Sequence, residues 1–75
     1  MDSQRIEQMI AQAMPDARIA VNSEDNVHFH AQVVSASFAG LSRLKRHRLI
    51  HQALGAAMGR EIHALTLDLK TPEEV

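Results

Sequence analysis

Five histidines in 75 residues are the side chains of this sequence best suited to chemistry. His47 and His51 are four residues apart, a spacing that can chelate a metal on a helix, although such histidines more often pack or cap. His28 and His30 alternate, and a solvated strand face is their simpler interpretation. His63 precedes three alternating leucines, so it is either a hydrogen-bonded core histidine, which the pattern favours, or a ligand at a sheet rim.

A basic run forms the second candidate site. Arg43, Lys45, Arg46 and Arg48 lie within six residues and could contact nucleic-acid phosphates, which would give salt-dependent and weakly selective binding. The alternative is a solvated face that docks an acidic partner surface or keeps the protein soluble. A formal net charge of -1 argues against a protein that coats nucleic acid generally.

The composition excludes several classes of function. The chain has no cysteine, so it cannot form disulfides or thiolate metal sites alone, and it has no Trp or Tyr for stacking bases. No nucleophile lies beside a base and no glycine-rich phosphate loop is present, so we do not expect an enzyme. No apolar run approaches the roughly 20 residues of a membrane span, and the first residues do not resemble a signal peptide, which predicts a cytoplasmic protein without membrane partners.

The first half of the chain predicts a helix and a β-hairpin. Apolar residues recur at helical spacing over residues 3–14, with Asp2 or Ser3 as the cap and Pro15 as the end. Residues 17–22 alternate as a half-buried strand, and residues 23–26 are turn formers. A second strand then returns antiparallel from Val27, ending near residue 35, with Val27 in its apolar row.

The second half predicts a central helical segment and a third strand. The segment spans residues 38–58, with Ser42 as a candidate N-cap, an apolar stripe from residue 50 to residue 58, and Gly59 as the left-handed residue after its end. From Ile62 the pattern alternates, with His63 in the row of the leucines. Residues 71–74 then begin a helix. This order predicts a single α+β domain over residues 1–75 with two layers, in which the helical crossover allows one parallel strand pair.

Several stretches together resemble the BolA family. They are the run FAGLSRLKRHRLIHQAL, the pair His28-Phe29, the block Ile62-His63-Ala64-Leu65 and the end Thr71-Pro72-Glu73-Glu74. The short loop at residues 23–26 is closer to the IbaG and BolA2 types than to BolA proper. The resemblance implies an αββααβ fold with a short final helix and a three-stranded mixed sheet, similar to a class II KH domain. It also implies that the central segment divides into a short helix near residues 42–46 and a longer one.

The same resemblance implies a partner and a cofactor. BolA-like proteins form heterodimers with monothiol glutaredoxins and share a [2Fe-2S] cluster, to which the glutaredoxin gives a cysteine, glutathione a second sulfur, and the BolA-like protein a histidine that matches His63. The second ligand of the family, a Cys or His, lies in the loop between the first two strands. This loop has no matching residue here, and His28, just past the loop, is the nearest candidate. The isolated protein is then expected to hold no cluster and to be a monomer or weak homodimer. Because BolA-like proteins have also been viewed as transcription regulators, DNA binding is the alternative function, although the GXXG loop of RNA-binding KH domains is missing here.

Overall fold

The chain folds as a three-stranded sheet covered on one face by two α-helices, as a computed structural model of residues 1–75 shows. The regular elements are α1 Ser3–Ala13, β1 Arg18–Asn22, β2 His28–Val34, α2 Arg43–Leu54 and β3 Ala64–Lys70, with 3-10 turns at Ala36–Phe38, Gly55–Ala57 and Pro72–Glu74. This arrangement confirms the predicted α+β class. The longest helix, α2, has 12 residues, which is too short to cross a bilayer.

The sheet has β2 at its centre. β1 pairs with β2 antiparallel, with Ala20 opposite Gln32, and β3 pairs with β2 parallel, with His28 opposite Ala64. Both the predicted hairpin and the predicted parallel pair are therefore confirmed. The prediction for Val27 is wrong, because Val27 precedes β2 and is 41% exposed instead of joining the buried row.

The core lies between the helices and one face of β2. The alternation along β2 buries every second residue, and the period of each helix turns one apolar stripe towards the sheet. Burying a large aliphatic or aromatic side chain contributes roughly 1.5–3 kcal/mol. The nine residues of this cluster are Ile6, Ile10, Met14, Phe29, Val33, Phe38, Ile50, Leu54 and Ile62. Met14 belongs to it as the residue after α1, which ends one residue earlier than predicted.

The central segment differs from the prediction at both ends. It does not divide near residues 42–46, because Ser42 caps a single continuous helix by accepting the N–H of Lys45 at 3.2 Å. The short helical turn lies earlier, at Ala36–Phe38, and is separated from α2 by a loop. At the other end, α2 stops at Leu54 because Gly55 adopts φ 55°, so Gly59 follows a further turn and does not end the helix.

Candidate functional site

The turn between α2 and β3 places His63 in solvent. The carbonyl of Ala57 accepts the N–H groups of residues 60, 61 and 62, and the N–H of Gly59 donates to the carbonyl of Ile62 at 2.9 Å. This tight turn, with a bridge to residue 58, buries Ile62 completely and leaves the next residue, His63, exposed before β3 begins at Ala64. The interpretation of His63 as a core histidine in the leucine row is therefore wrong, because Ile62 takes the inward position.

Asp25 organises the loop between β1 and β2. Its Oδ1 accepts the N–H groups of Val27 and His28, both at 2.9 Å, and its Oδ2 lies 2.8 Å from Nδ1 of His28. Ser23 Oγ closes the same loop by accepting the N–H of Asn26 at 2.9 Å and donating to the His28 carbonyl at 2.6 Å. The hydrogen bond from the His28 ring, followed by those from the two backbone N–H groups, holds the pKa of Asp25 well below its usual value.

His28 and His63 lie at the same end of the sheet. His28 begins β2 opposite Ala64, the first residue of β3, and His63 directly precedes Ala64. Both histidines are exposed, whereas His30, on the same face of β2 as His28, is half-buried, so the predicted solvated strand face describes His28 better than His30. A depression of about 330 Å³ lies beside His28, and its lining residues are Asn22, Ser23, Glu24, Asp25, His28, Phe29, His30 and Thr66.

His63 and His28 are the two exposed imidazoles at this end of the sheet that could contribute ligands to a metal centre. The structure gathers no group of three or more His, Cys, Asp or Glu side chains that could hold an ion, so the chain does not build a four-ligand shell by itself. His63 and His28 would supply imidazole nitrogen, which has a precedent as a [2Fe-2S] ligand. Asp25 is a poor third donor, because both of its oxygens accept hydrogen bonds and carboxylate oxygen suits a cluster badly.

The basic run on α2 divides into exposed and structural side chains. Arg43, Lys45 and Arg48 are exposed, whereas the side chain of Arg46 is only 12% exposed. Arg46 therefore differs from the other three candidates for phosphate contact. The residues next to Arg46 in the sequence carry no signal for this difference, because groups that surround Arg46 come from distant parts of the chain.

Arg46 joins three segments at the far end of β3. Its guanidinium donates to the carbonyls of Leu41 at 3.0 Å and Leu69 at 3.2 Å, and forms a forked ion pair with Glu74 at 2.7 and 3.3 Å. Glu74 Oε1 also accepts the N–H of Thr71 at 2.7 Å, which completes the predicted capping of the last turn. The Arg46 hydrogen bond, and after it the Thr71 N–H, lowers the pKa of Glu74 to about 2.

The fold adds no third metal-ligating side chain to His47 and His51. Both line a shallow depression on α2 together with Arg43, Leu44 and Arg48, and His47 is half-buried there. The two neighbouring guanidinium groups would repel a bound cation. The positive charge around His47 and His51 makes them weaker candidates for metal binding than His28 and His63.

Comparison with known proteins identifies relatives along almost the whole chain. The family model described as "BolA-like protein" matches residues 4–74. "BolA-like protein 1" of Homo sapiens is 46% identical over 55 residues, which are 73% of this chain and 40% of that protein. The "DNA-binding transcriptional regulator BolA" of Haemophilus influenzae is 35% identical over 80 residues, covering 95% of this chain and 78% of that protein. The chain thus spans about two fifths of the length of its mammalian relatives and most of the bacterial one.

Solved structures agree with these matches. A BolA protein homologue from Coxiella burnetii superposes with a TM-score of 0.86 at 37% identity, covering 99% of this chain and 95% of that one. The BolA domain of SufE1 from Arabidopsis thaliana has a TM-score of 0.86 at 31% identity, covering 97% of this chain and 94% of that one. The sheet and the helices described above are therefore an arrangement that relatives share.

Proposed function

The chain belongs to the BolA family, and from this membership we propose that it is a partner of a monothiol glutaredoxin with which it shares a glutathione-dependent [2Fe-2S] cluster. The complex would serve iron-sulfur cluster trafficking or the regulation of iron and stress responses. His63 is the ligand from this chain and His28 the second candidate. The assignment to the IbaG and BolA2 types stays a prediction, and so does the cytoplasmic location.

One observation supports this proposal more than any other. His63 and His28 are both exposed at the end of the sheet where β2 and β3 begin, so a second protein that docks on this end can reach both residues. When bound, the cluster would carry electrons or be passed on to another protein. This chain would supply imidazole nitrogen from the end of the sheet. Because imidazole in place of thiolate raises the potential of such clusters, the mixed complex would differ from a glutaredoxin homodimer.

The test is the replacement His63→Ala in the presence of a monothiol glutaredoxin, glutathione, iron and sulfide. With the wild-type chain we expect visible absorption and circular dichroism spectra distinct from those of the glutaredoxin homodimer, and with His63→Ala we expect their loss. The exposed position of His63 predicts unchanged folding of the isolated variant, which far-UV circular dichroism checks. A wild-type mixture that keeps the homodimer spectrum would refute the partnership, and an unchanged spectrum in the variant would refute the ligand assignment.

DNA binding is the second candidate function. The name of the Haemophilus influenzae relative describes a DNA-binding transcriptional regulator, and Arg43, Lys45 and Arg48 present three exposed cations on α2. Changing these three residues to glutamate should abolish DNA binding and its dependence on salt concentration without affecting the shared cluster. Arg46 is left intact in this test, since its loss would disturb the fold. DNA affinity that does not respond to the three changes would count against this function.

A further inference from the structure

The contact between Asp25 and His28 determines which ring nitrogen of His28 is available to a metal. We propose that Asp25 is a positioning residue that presents Nε2 of His28 as the second ligand from this chain to the shared cluster. This inference rests on the function proposed above. It adds a role for a side chain that does not itself touch the cluster.

The geometry of the ring supports this role. Asp25 Oδ2 lies 2.8 Å from Nδ1 of His28, a hydrogen-bond distance, and an ionised carboxylate can only accept. The proton of a neutral imidazole therefore belongs on Nδ1, and the lone pair belongs on Nε2. Metal-bound histidines commonly donate their second ring N–H to a carboxylate in this way, which fixes both the tautomer and the orientation of the ring.

The loop holds the carboxylate ready before any partner binds. Oδ1 of Asp25 accepts two backbone N–H groups, at Val27 and His28, so the carboxylate cannot rotate away from the ring without breaking both bonds. Ser23 Oγ and the left-handed residue Asn26, with φ 58°, close the same loop. The orientation of the ring is thus set by the backbone of the loop and not by a flexible side chain alone.

A purely stabilising role explains this contact poorly. The side chains of His28 and Asp25 are 73% and 51% exposed, and exposed ion pairs add little to the stability of a fold. The contact acts on the tautomer instead, because only the form of His28 with its proton on Nδ1 can donate to the Asp25 carboxylate. The pair also lies at the same end of the sheet as the exposed His63, because His28 is opposite Ala64 in the register.

The substitution Asp25→Asn separates the orientation of the ring from the shape of the loop. The asparagine oxygen can still accept the N–H groups of Val27 and His28, whereas its amide group donates towards the ring and favours the tautomer with the proton on Nε2. Long-range proton–nitrogen NMR of the isolated chain at alkaline pH should show the Nδ1–H tautomer of His28 in the wild type and a shift towards Nε2–H in Asp25→Asn. The matched control Glu24→Gln removes the same charge from the neighbouring residue and should leave the tautomer unchanged.

The mixed complex with glutaredoxin supplies the second measurement. We expect Asp25→Asn to lose its cluster to a chelator about 10–100-fold more readily than the wild type, the range found when such orienting partners of metal ligands are changed. The double variant Asp25→Asn with His28→Ala should lose its cluster no more readily than His28→Ala alone, because Asp25 acts through His28. A merely structural role would instead make the two effects add.

The possible outcomes are distinct. If the wild-type chain forms no mixed cluster, the proposed function fails and the inference fails with it. If the cluster forms and Asp25→Asn retains it like the wild type, only the inference is overturned. A wild-type His28 with its proton mainly on Nε2 would also overturn it. A shifted tautomer together with a less stable cluster and a non-additive double variant would establish Asp25 as the positioning residue.

Discussion

Replacing Arg46 with alanine should destabilise the fold far more than replacing its exposed neighbour Arg48. Arg46 lies in the middle of the basic run, but its guanidinium donates to the carbonyls of Leu41 and Leu69 and pairs with Glu74. It also lies over the ring of Phe38, with 5.8 Å between the guanidinium carbon and the ring centroid. Removing it therefore separates the loop before α2 from the end of β3 and from the last turn.

The expected decrease in the free energy of unfolding follows from these contacts. A hydrogen bond from a charged donor contributes about 1.5–3 kcal/mol and a cation–π contact about 0.5–1 kcal/mol. Because the carbonyls regain some hydration and such contributions are not additive, we expect Arg46→Ala to lower the free energy of unfolding by about 2–3 kcal/mol. A domain of this size has a total of roughly 4–11 kcal/mol, so the variant should still fold, with a melting temperature about 10–20 °C lower.

Urea unfolding followed by far-UV circular dichroism is the appropriate assay, since the chain has no Trp or Tyr to report by fluorescence. Arg48→Ala should change the free energy of unfolding by no more than about 0.5 kcal/mol, as expected for an exposed position. Arg46→Lys should fall between the two, because one ammonium group cannot reproduce the guanidinium fork. Equal destabilisation by Arg46→Ala and Arg48→Ala would refute a structural role for the Arg46 contacts.

Two further predictions concern the ends of the helical turns. The folded pKa of Glu74, about 2, lies below its ordinary value of 4.5, so its stabilising contribution is present above pH 4.5 and is lost as the pH falls towards 2. The stability difference between the wild type and Glu74→Gln should therefore shrink over that interval in urea titrations, and a constant difference would contradict the assignment. Gly55→Ala should destabilise the chain by about 1–3 kcal/mol, because φ 55° with ψ -133° is accessible mainly to glycine. Because a Cβ there would meet no atom within 4 Å, a thermal melt like that of the wild type would show that the backbone relaxes at no cost.

Local patterns predicted the elements of the fold but not all of their ends. Alternation along β2 identified Phe29 and Val33 as buried because a strand turns successive side chains to opposite faces. The end of α2 was not predictable in the same way, since Gly55 and Gly59 can both adopt positive φ and both do so. Which one ends the helix depends on the packing of Leu54 against the rest of the core, a tertiary property.

In the candidate site, too, tertiary contacts decide features that the local sequence does not predict. The resemblance to the BolA family, and not the residue pattern, indicated His63 and His28 as candidates, and the outward position of His63 depends on the turn that buries Ile62. The partner of Arg46 lies 28 residues away, at Glu74, so no local pattern could distinguish Arg46 from the exposed cations around it. The contact of Asp25 with His28 spans only three residues, and the preference of aspartate for bonding nearby backbone N–H groups is the signal that could have found it.

The two candidate surfaces lie at opposite ends of β3. His63 precedes the first residue of the strand, while Arg43, one of the three exposed cations of the proposed DNA-binding surface, lines a groove with Leu69, Lys70 and Glu74 at its other end. Seven residues of strand at about 3.3 Å each separate these ends by roughly 20 Å, beyond the distance at which substitutions usually couple. If the chain has both proposed functions, substitutions at one end should abolish one of them and leave the other unchanged, and a variant of one surface that abolished both would indicate that a single binding event underlies them.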